Sequence, residues 1–152
     1  MGVNEVTPDG LRAAGLRLFR QRQYAAAAEQ LRAAAAAYAA DSAARCETLN
    51  DLGVVYRLQR NGSAAIAALE DAAAGFARLG DGAGQGVALA NLGDLRGAIE
   101  SYQHVIELED GDAATFYNIA LAYEELQEFP EAIGFFEKAL LKDPQYAEAW
   151  YG

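Results

Sequence analysis

Between residues 116 and 144 the chain reads FYNIALAYEELQEFPEAIGFFEKALLKDP, and the order of large and small side chains there leaves few folds open. Phe116, Ile119 and Tyr123 fall at i, i+3 and i+7, one stripe of a helix facing one neighbour. Ala120 and Ala132 are small where two helix backbones must approach closely, and Phe136 fills the space beside them. Pro130 sits where the first turn of a second helix tolerates it. Pro144, after Lys142 and Asp143, stops that second helix. The stretch therefore reads as two antiparallel helices joined by a short turn.

The same order recurs upstream. Leu49, Leu52, Gly53 and Tyr56 repeat the first-helix stripe, and Ala65, Leu69 and Ala72 repeat the second, with Asn61-Gly62-Ser63 as turn and cap between them. A weaker copy runs from Leu11, Gly15 and Leu18 to Tyr24, Ala27, Leu31 and Ala34, and Thr7-Pro8 supplies its N-cap and first-turn proline. Internal repetition at such a period is the mark of a stacked array.

These spacings resemble the tetratricopeptide repeat (TPR), whose signature is W-x2-L-G-x2-Y, then A-x3-F, then P, with Phe116 for Trp, Ile119 for Leu and Ala120 for Gly. The phrase RLGDGAGQGVALANLG resembles the inter-repeat joint of longer-period arrays, the kinesin light chain and related bacterial proteins. The resemblance covers roughly residues 8–151 and implies an all-α helical-hairpin solenoid. It forms one TPR domain over 1–152, with about four repeats near 8–45, 46–80, 81–112 and 113–146. Residues 147–152, AEAWYG, read as the start of a further repeat or as a short cap, with Trp150 in the aromatic place.

The third repeat is expected to be short. Gly53 to Ala65 and Ala120 to Ala132 are each 12 apart, whereas Gly93 to Ala98 are five apart, so about seven residues look missing. From Gly15 to Gly53 is 38 residues and from Gly53 to Gly93 is 40, which predicts second helices longer by a turn in the early repeats. Two local structures are consistent with this. In one, Gly93 breaks the chain, a stub helix covers about 87–92, and Asp94 caps the next helix. In the other, 87–109 forms one long helix, since seven residues fall only about 20° short of two turns and keep both stripes nearly aligned. The long helix would bare apolar faces for a second copy to cover, which makes Gly93, Asp94 and Gly97 the hinge of a swapped homodimer.

Charge and composition narrow the function. The net charge of −10 argues against nucleic acid, which draws on clustered Lys and Arg. Residues 1–60 hold eight arginines against six acids, and residues 61–152 hold four basic residues against sixteen acids. No apolar run of about 18 residues marks a membrane span, and MGVNEVTPDG has no basic start followed by an apolar stretch, so a cytoplasmic location is expected. Alanine and arginine usage suggests a bacterium.

No reaction centre emerges. GDGAGQG lacks the Lys-Ser or Lys-Thr of a phosphate loop and reads as a joint between helices. His104 has no partner at ligand spacing, Cys46 reads as a buried helix residue, and Glu124, Glu125 and Glu128 read as a solvated face. No enzyme activity, cofactor or metal is expected. The resemblance instead implies a concave groove lined by first helices, which takes a peptide, a helix or a protein. Its expected lining is Arg12, Leu16, Phe19 and Arg20; Asn50, Val54, Arg57 and Leu58; Asn91; and Tyr117, Leu121 and Glu124. Asn91, Asn118 and Asp51 are taken as equivalents, each just before a stripe residue. The subclass that grips a C-terminal carboxylate is not matched, since Leu16 and Asp51 stand where Asn is wanted and lysine is absent before Lys138. The expected role is an interaction scaffold; a self-associating module and the sensor part of a larger regulator are the alternatives.

Overall fold

The computed structural model describes residues 6–146, and every regular element among them is an α-helix. In chain order these are α1 (Pro8–Arg20), α2 (Tyr24–Ala37), α3 (Ala43–Leu58), α4 (Gly62–Arg78), α5 (Gly82–Leu92), α6 (Leu95–Glu109), α7 (Ala113–Glu125) and α8 (Phe129–Lys142). They fall into two compact units, residues 1–80 and 81–152. In the first, α1 pairs with α2 and α3 with α4, and α2 packs on α3; in the second, α5 pairs with α6 and α7 with α8, and α6 packs on α7. The expected start of a further repeat or cap at 147–152, with Trp150, lies outside the described residues.

Local chemistry sets where the helices begin. The Thr7 hydroxyl accepts from the Gly10 amide at 3.0 Å with Pro8 in the first turn, and Asn61, Asp81 and Asp94 accept from Ala64, Gly84 and Gly97. Each satisfies one amide that the first helical turn leaves without an intrahelical partner. Asp112 accepts from both the amide and the hydroxyl of Thr115, at 2.8 and 2.7 Å, and that hydroxyl first, then the amide, hold its carboxyl below the ordinary range.

Packing inside each hairpin follows one rule. A small residue on the first helix receives a large one from the second. A Cβ added at Gly15 would lie 2.7 Å from Leu31, one at Gly53 would lie 2.5 Å from Leu69, and one at Gly86 would lie 2.7 Å from the Tyr102 ring. Leu31 and Leu69 are fully buried as a result, each contributing roughly 1.5–3 kcal/mol of apolar burial. Burial pushes the Tyr102 hydroxyl up to about 12.

That rule corrects the register of the third repeat. Its close-packing glycine is Gly86, not Gly93, and Gly86 to Ala98 is the same 12 residues seen from Gly15 to Ala27 and from Gly53 to Ala65. No seven residues are missing. Gly93 lies seven residues beyond Gly86, where the other hairpins place Arg22, Arg60 and Gln127, and all four have left-handed backbone, with φ of 90°, 60°, 60° and 63°. Each is followed by the same turn bond, from the amides of Gln23, Asn61, Asp94 and Glu128 back to the carbonyls five residues earlier, of Leu18, Tyr56, Leu89 and Tyr123, at 2.9 Å. Gly93 is thus the turn residue of a complete hairpin. Because seven residues nearly equal two helical turns, the turn glycine imitates the packing glycine on the same stripe.

Three further expectations change with it. The helix before Gly93 is not a stub over 87–92 but α5, which starts at Gly82, and the continuous helix over 87–109 does not form. GDGAGQG is not wholly a joint, because α5 begins inside it. Gly82 and Gly86 give up helix propensity there to admit Val105 and Tyr102. The step from Gly53 to the next packing glycine is 33 residues rather than 40; of the early second helices α2 has 14 residues, as α8 does, and only α4, with 17, is longer by about a turn, so the 38 from Gly15 to Gly53 come from the linker between α2 and α3 and the longer start of α3.

Candidate functional site

The first helix of each hairpin has one face turned away from its partner, beginning at the residue after the small one. Those residues are Leu16, Val54, Val87 and Leu121, all apolar and none buried. Val87 and Leu121 are 38% and 36% exposed, which leaves apolar surface in water on a helix whose other side is packed.

In the first unit this face carries a site with definite walls. Leu16 and Phe19 on α1 and Asp51, Val54 and Val55 on α3 line a cavity of about 90 Å³. Phe19 is steadied by Tyr24, with ring centroids 5.9 Å apart. At the rim the Arg12 guanidinium donates from Nε and Nη2 to Asp51 Oδ2, at 3.4 and 3.2 Å, and from Nη1 to Glu47 at 2.9 Å. Burial raises the Asp51 carboxyl more than Arg12 lowers it, whereas for Arg12 the two carboxylates outweigh burial and raise it. The two directions disagree about the worth of the pair. The Asp51 direction is the informative one, since the two side chains are about equally exposed and a guanidinium stays protonated throughout the ordinary range. Arg20, Arg57 and Leu58 are exposed at the C-terminal ends of these helices, and Asn50 is half-buried.

In the second unit the expected residues are placed differently. Leu121 and Glu124 are exposed on α7, and Asn118 is half-buried. Tyr117 is half-buried between Phe136 and Tyr146, at centroid distances of 5.7 and 5.5 Å. Asn91 is half-buried near the end of α5 and is not equivalent to Asn118 and Asp51, whose counterpart in the corrected register is Gly84. Val87 falls outside the expected lining, because a register set by Gly93 runs seven residues late. Its distance of 34 residues from Leu121 is the signal that finds it. Gly93, Asp94 and Gly97 form the α5–α6 turn and cap, with the Gly97 amide held by the Asp94 carboxylate at 2.9 Å.

No chemistry is assembled elsewhere among the described residues. No cluster of three metal-ligating side chains occurs there, and no helix is long and apolar enough to cross a membrane. His104 is exposed, 3.8 Å from Glu107; Glu124 and Glu125 are exposed, and Glu128 pairs with Arg96. Cys46 is buried at the side of a cavity of about 270 Å³, where Gly75 leaves room for its sulfur.

The tetratricopeptide repeat profile matches residues 45–79, 84–112 and 113–146, roughly two thirds of the chain. The chain belongs to the tetratricopeptide repeat family. The match over 84–112 takes in Gly86 and the whole of α6, in keeping with a complete third TPR hairpin. Solved TPR structures share the fold. YrrB, described as a TPR protein with an unusual peptide-binding site, is 21% identical with a TM-score of 0.62, over 97% of this chain and 75% of that one. A Podospora anserina protein of the kinesin-light-chain type, with nearly identical TPR-like repeats, is 18% identical with a TM-score of 0.65, over 91% and 75%. A chain of the APC/C hetero-tetramer Cut9-Hcn1 is 23% identical with a TM-score of 0.63; 95% of this chain matches, but it spans only 29% of that chain. No curated protein matches the sequence.

Proposed function

We propose that this TPR protein is a non-enzymatic scaffold that binds a peptide, a helix or an extended segment of another protein along the bare faces of its first helices. In the first unit the binding residues are Leu16, Phe19 and Val54, flanked by Arg20 and Arg57, with Arg12 and Asn50 bordering them. In the second they are Val87 and Leu121, bordered by Tyr117, Asn118 and Glu124. The observation that carries this reading is the walled apolar cavity of Leu16, Phe19, Val54 and Val55, which has an ion pair at its rim and an open mouth. Its size suits one aliphatic side chain of a bound segment, and its rim pair is already neutralised, so a ligand does not have to strip a lone charge of water. The peptide-binding description of YrrB is in keeping with this use of the fold.

The swapped homodimer loses the ground on which it was expected, because α5 and α6 cover one another's apolar faces within a single hairpin. The scaffold reading is tested by quantitative capture from the source cells on immobilised chain, comparing the natural sequence with a Leu16→Asp/Val54→Asp variant of matched helicity. Partners held by the natural chain and lost from the variant are expected. An identical partner set on both would contradict the reading.

A further inference from the structure

The cavity of the first unit is flanked by unbalanced positive charge on one side only. Arg12 bonds Glu47 and Asp51, and further along the same helices Leu16 and Phe19 share the cavity with Val54 and Val55, so α1 and α3 advance side by side in the same direction. Before the cavity, one arginine meets two carboxylates. Beyond it the next residues on these faces are Arg20, four after Leu16, and Arg57, three after Val54, about 6 Å and about 4.5 Å further along the helix axes. Arg22 and Arg60 follow at the left-handed turn positions, and all four arginines are exposed.

No carboxylate in the neighbouring sequence answers this edge. Residues 10–28 and 52–69 contain neither aspartate nor glutamate, and no ion pair engages Arg20, Arg22 or Arg60 among the described residues. Cations are favoured at helix C-termini, but the ends of α1 and α3 are together equivalent to about one negative charge, fewer than these three arginines supply. The second unit has the opposite sign at the corresponding places. Glu124 and Glu125 are exposed at the end of α7 and Asp94 is exposed after α5, while Glu128 already holds Arg96. The positive edge thus belongs to the first unit alone, in a chain whose net charge is −10.

We propose that the first unit takes an acidic segment of another polypeptide, with one aliphatic side chain in the cavity of Leu16 and Val54 and carboxylate side chains on the one flank that faces Arg20, Arg22 and Arg60. This names the partner's chemistry and rests on the reading that the first-helix face binds a segment. Guanidinium groups hold carboxylates through paired hydrogen bonds, which suits side-chain acids without a free chain end. Acids on the other flank would meet the net negative group of Arg12, Glu47 and Asp51, and the carboxylates of the second unit repel the same segment. A nucleic acid strand would answer the arginines but has no aliphatic side chain for the cavity.

The test selects random twelve-residue peptides on the full chain, displayed between fixed linkers so that no free C-terminus is offered. Selection is repeated on Leu16→Asp/Val54→Asp and on Arg20→Glu/Arg60→Glu, each checked for natural helicity. The natural chain is expected to enrich peptides that carry an aliphatic residue and, close to it on one side, aspartate and glutamate at least about twofold above the unselected library. The most enriched peptide, synthesised with both ends capped, should bind Arg20→Glu/Arg60→Glu at least about tenfold more weakly, and Leu16→Asp/Val54→Asp should enrich none of these peptides. Aliphatic peptides that are lost with Leu16→Asp/Val54→Asp but have no acidic excess, or that bind Arg20→Glu/Arg60→Glu equally well, would overturn this inference and leave the groove reading standing. No enrichment on the natural chain, or the same peptides on Leu16→Asp/Val54→Asp, would overturn both. A single-stranded oligonucleotide of equal charge that binds more tightly than the capped peptide would also overturn it, by making a nucleic acid the ligand.

Discussion

Arg22, Arg60 and Gln127 occupy the left-handed turn position that Gly93 fills in the third hairpin. A side chain there costs about 1 kcal/mol relative to glycine, because Cβ crowds the following carbonyl. Gln127→Gly is therefore expected to raise the urea-unfolding free energy by about 1 kcal/mol; a loss would mean that the glutamine side chain holds the turn. Gly86 works in the opposite sense. Its added Cβ would meet the Tyr102 ring at 2.7 Å, so Gly86→Ala is expected to cost about 1–3 kcal/mol despite alanine's better helix propensity. An unchanged or higher stability would mean that Gly86 is not the packing glycine. Asp112 supplies a pH dependence. Its native carboxyl is held low by Thr115, so its contribution is complete above the ordinary carboxylate range and is lost as pH falls through the depressed native value. Asp112→Ala should cost about 1 kcal/mol at neutral pH, with the gap to the natural chain closing on acidification. A gap independent of pH would assign the loss to helix propensity instead.

At the scale of elements, most helix boundaries are legible in the residues that make them. Thr7-Pro8, Asn61, Pro130 and Pro144 announce starts and stops whose chemistry is local. The third hairpin is poorly marked in the sequence because Gly82 and Gln85 stand where a large aromatic and an aliphatic residue would mark the first helix. With those gone, LG at 92–93 was the nearest imitation, and a seven-residue slip hardly changes which way a helical side chain faces. The candidate face was legible only in part. Leu16, Phe19 and Val54 follow from the repeat, but the engagement of Arg12 with Glu47 and Asp51 is a contact across 35 and 39 residues that no local pattern signals. Amide exchange separates the two local structures directly. With a turn at Gly93 and Asp94, the amides of Leu95 and Arg96 lie in a first helical turn without intrahelical partners and should exchange quickly, while Ala98, bonded to the Asp94 carbonyl at 2.9 Å, is protected. Slow exchange at Leu95 and Arg96 would restore the continuous helix.

Over the whole chain, the same economy appears in both units. Small residues bring helix backbones together, single large residues fill the space between them, and ion pairs such as Arg96–Glu128 and Lys142–Asp110, each 32 residues apart, link neighbouring hairpins at the surface. Such exposed pairs contribute little stability, so cohesion rests on the buried alanine, leucine and aromatic contacts. Function is left to the surfaces that this packing does not consume. The most direct measurement is photo-cross-linking in the source cells from benzoylphenylalanine placed at position 54, compared with position 70 on the exposed side of α4. The account predicts a discrete adduct above the 16.2 kDa chain from position 54 that position 70 does not give. No adduct from position 54, or the same products from both positions, would contradict it.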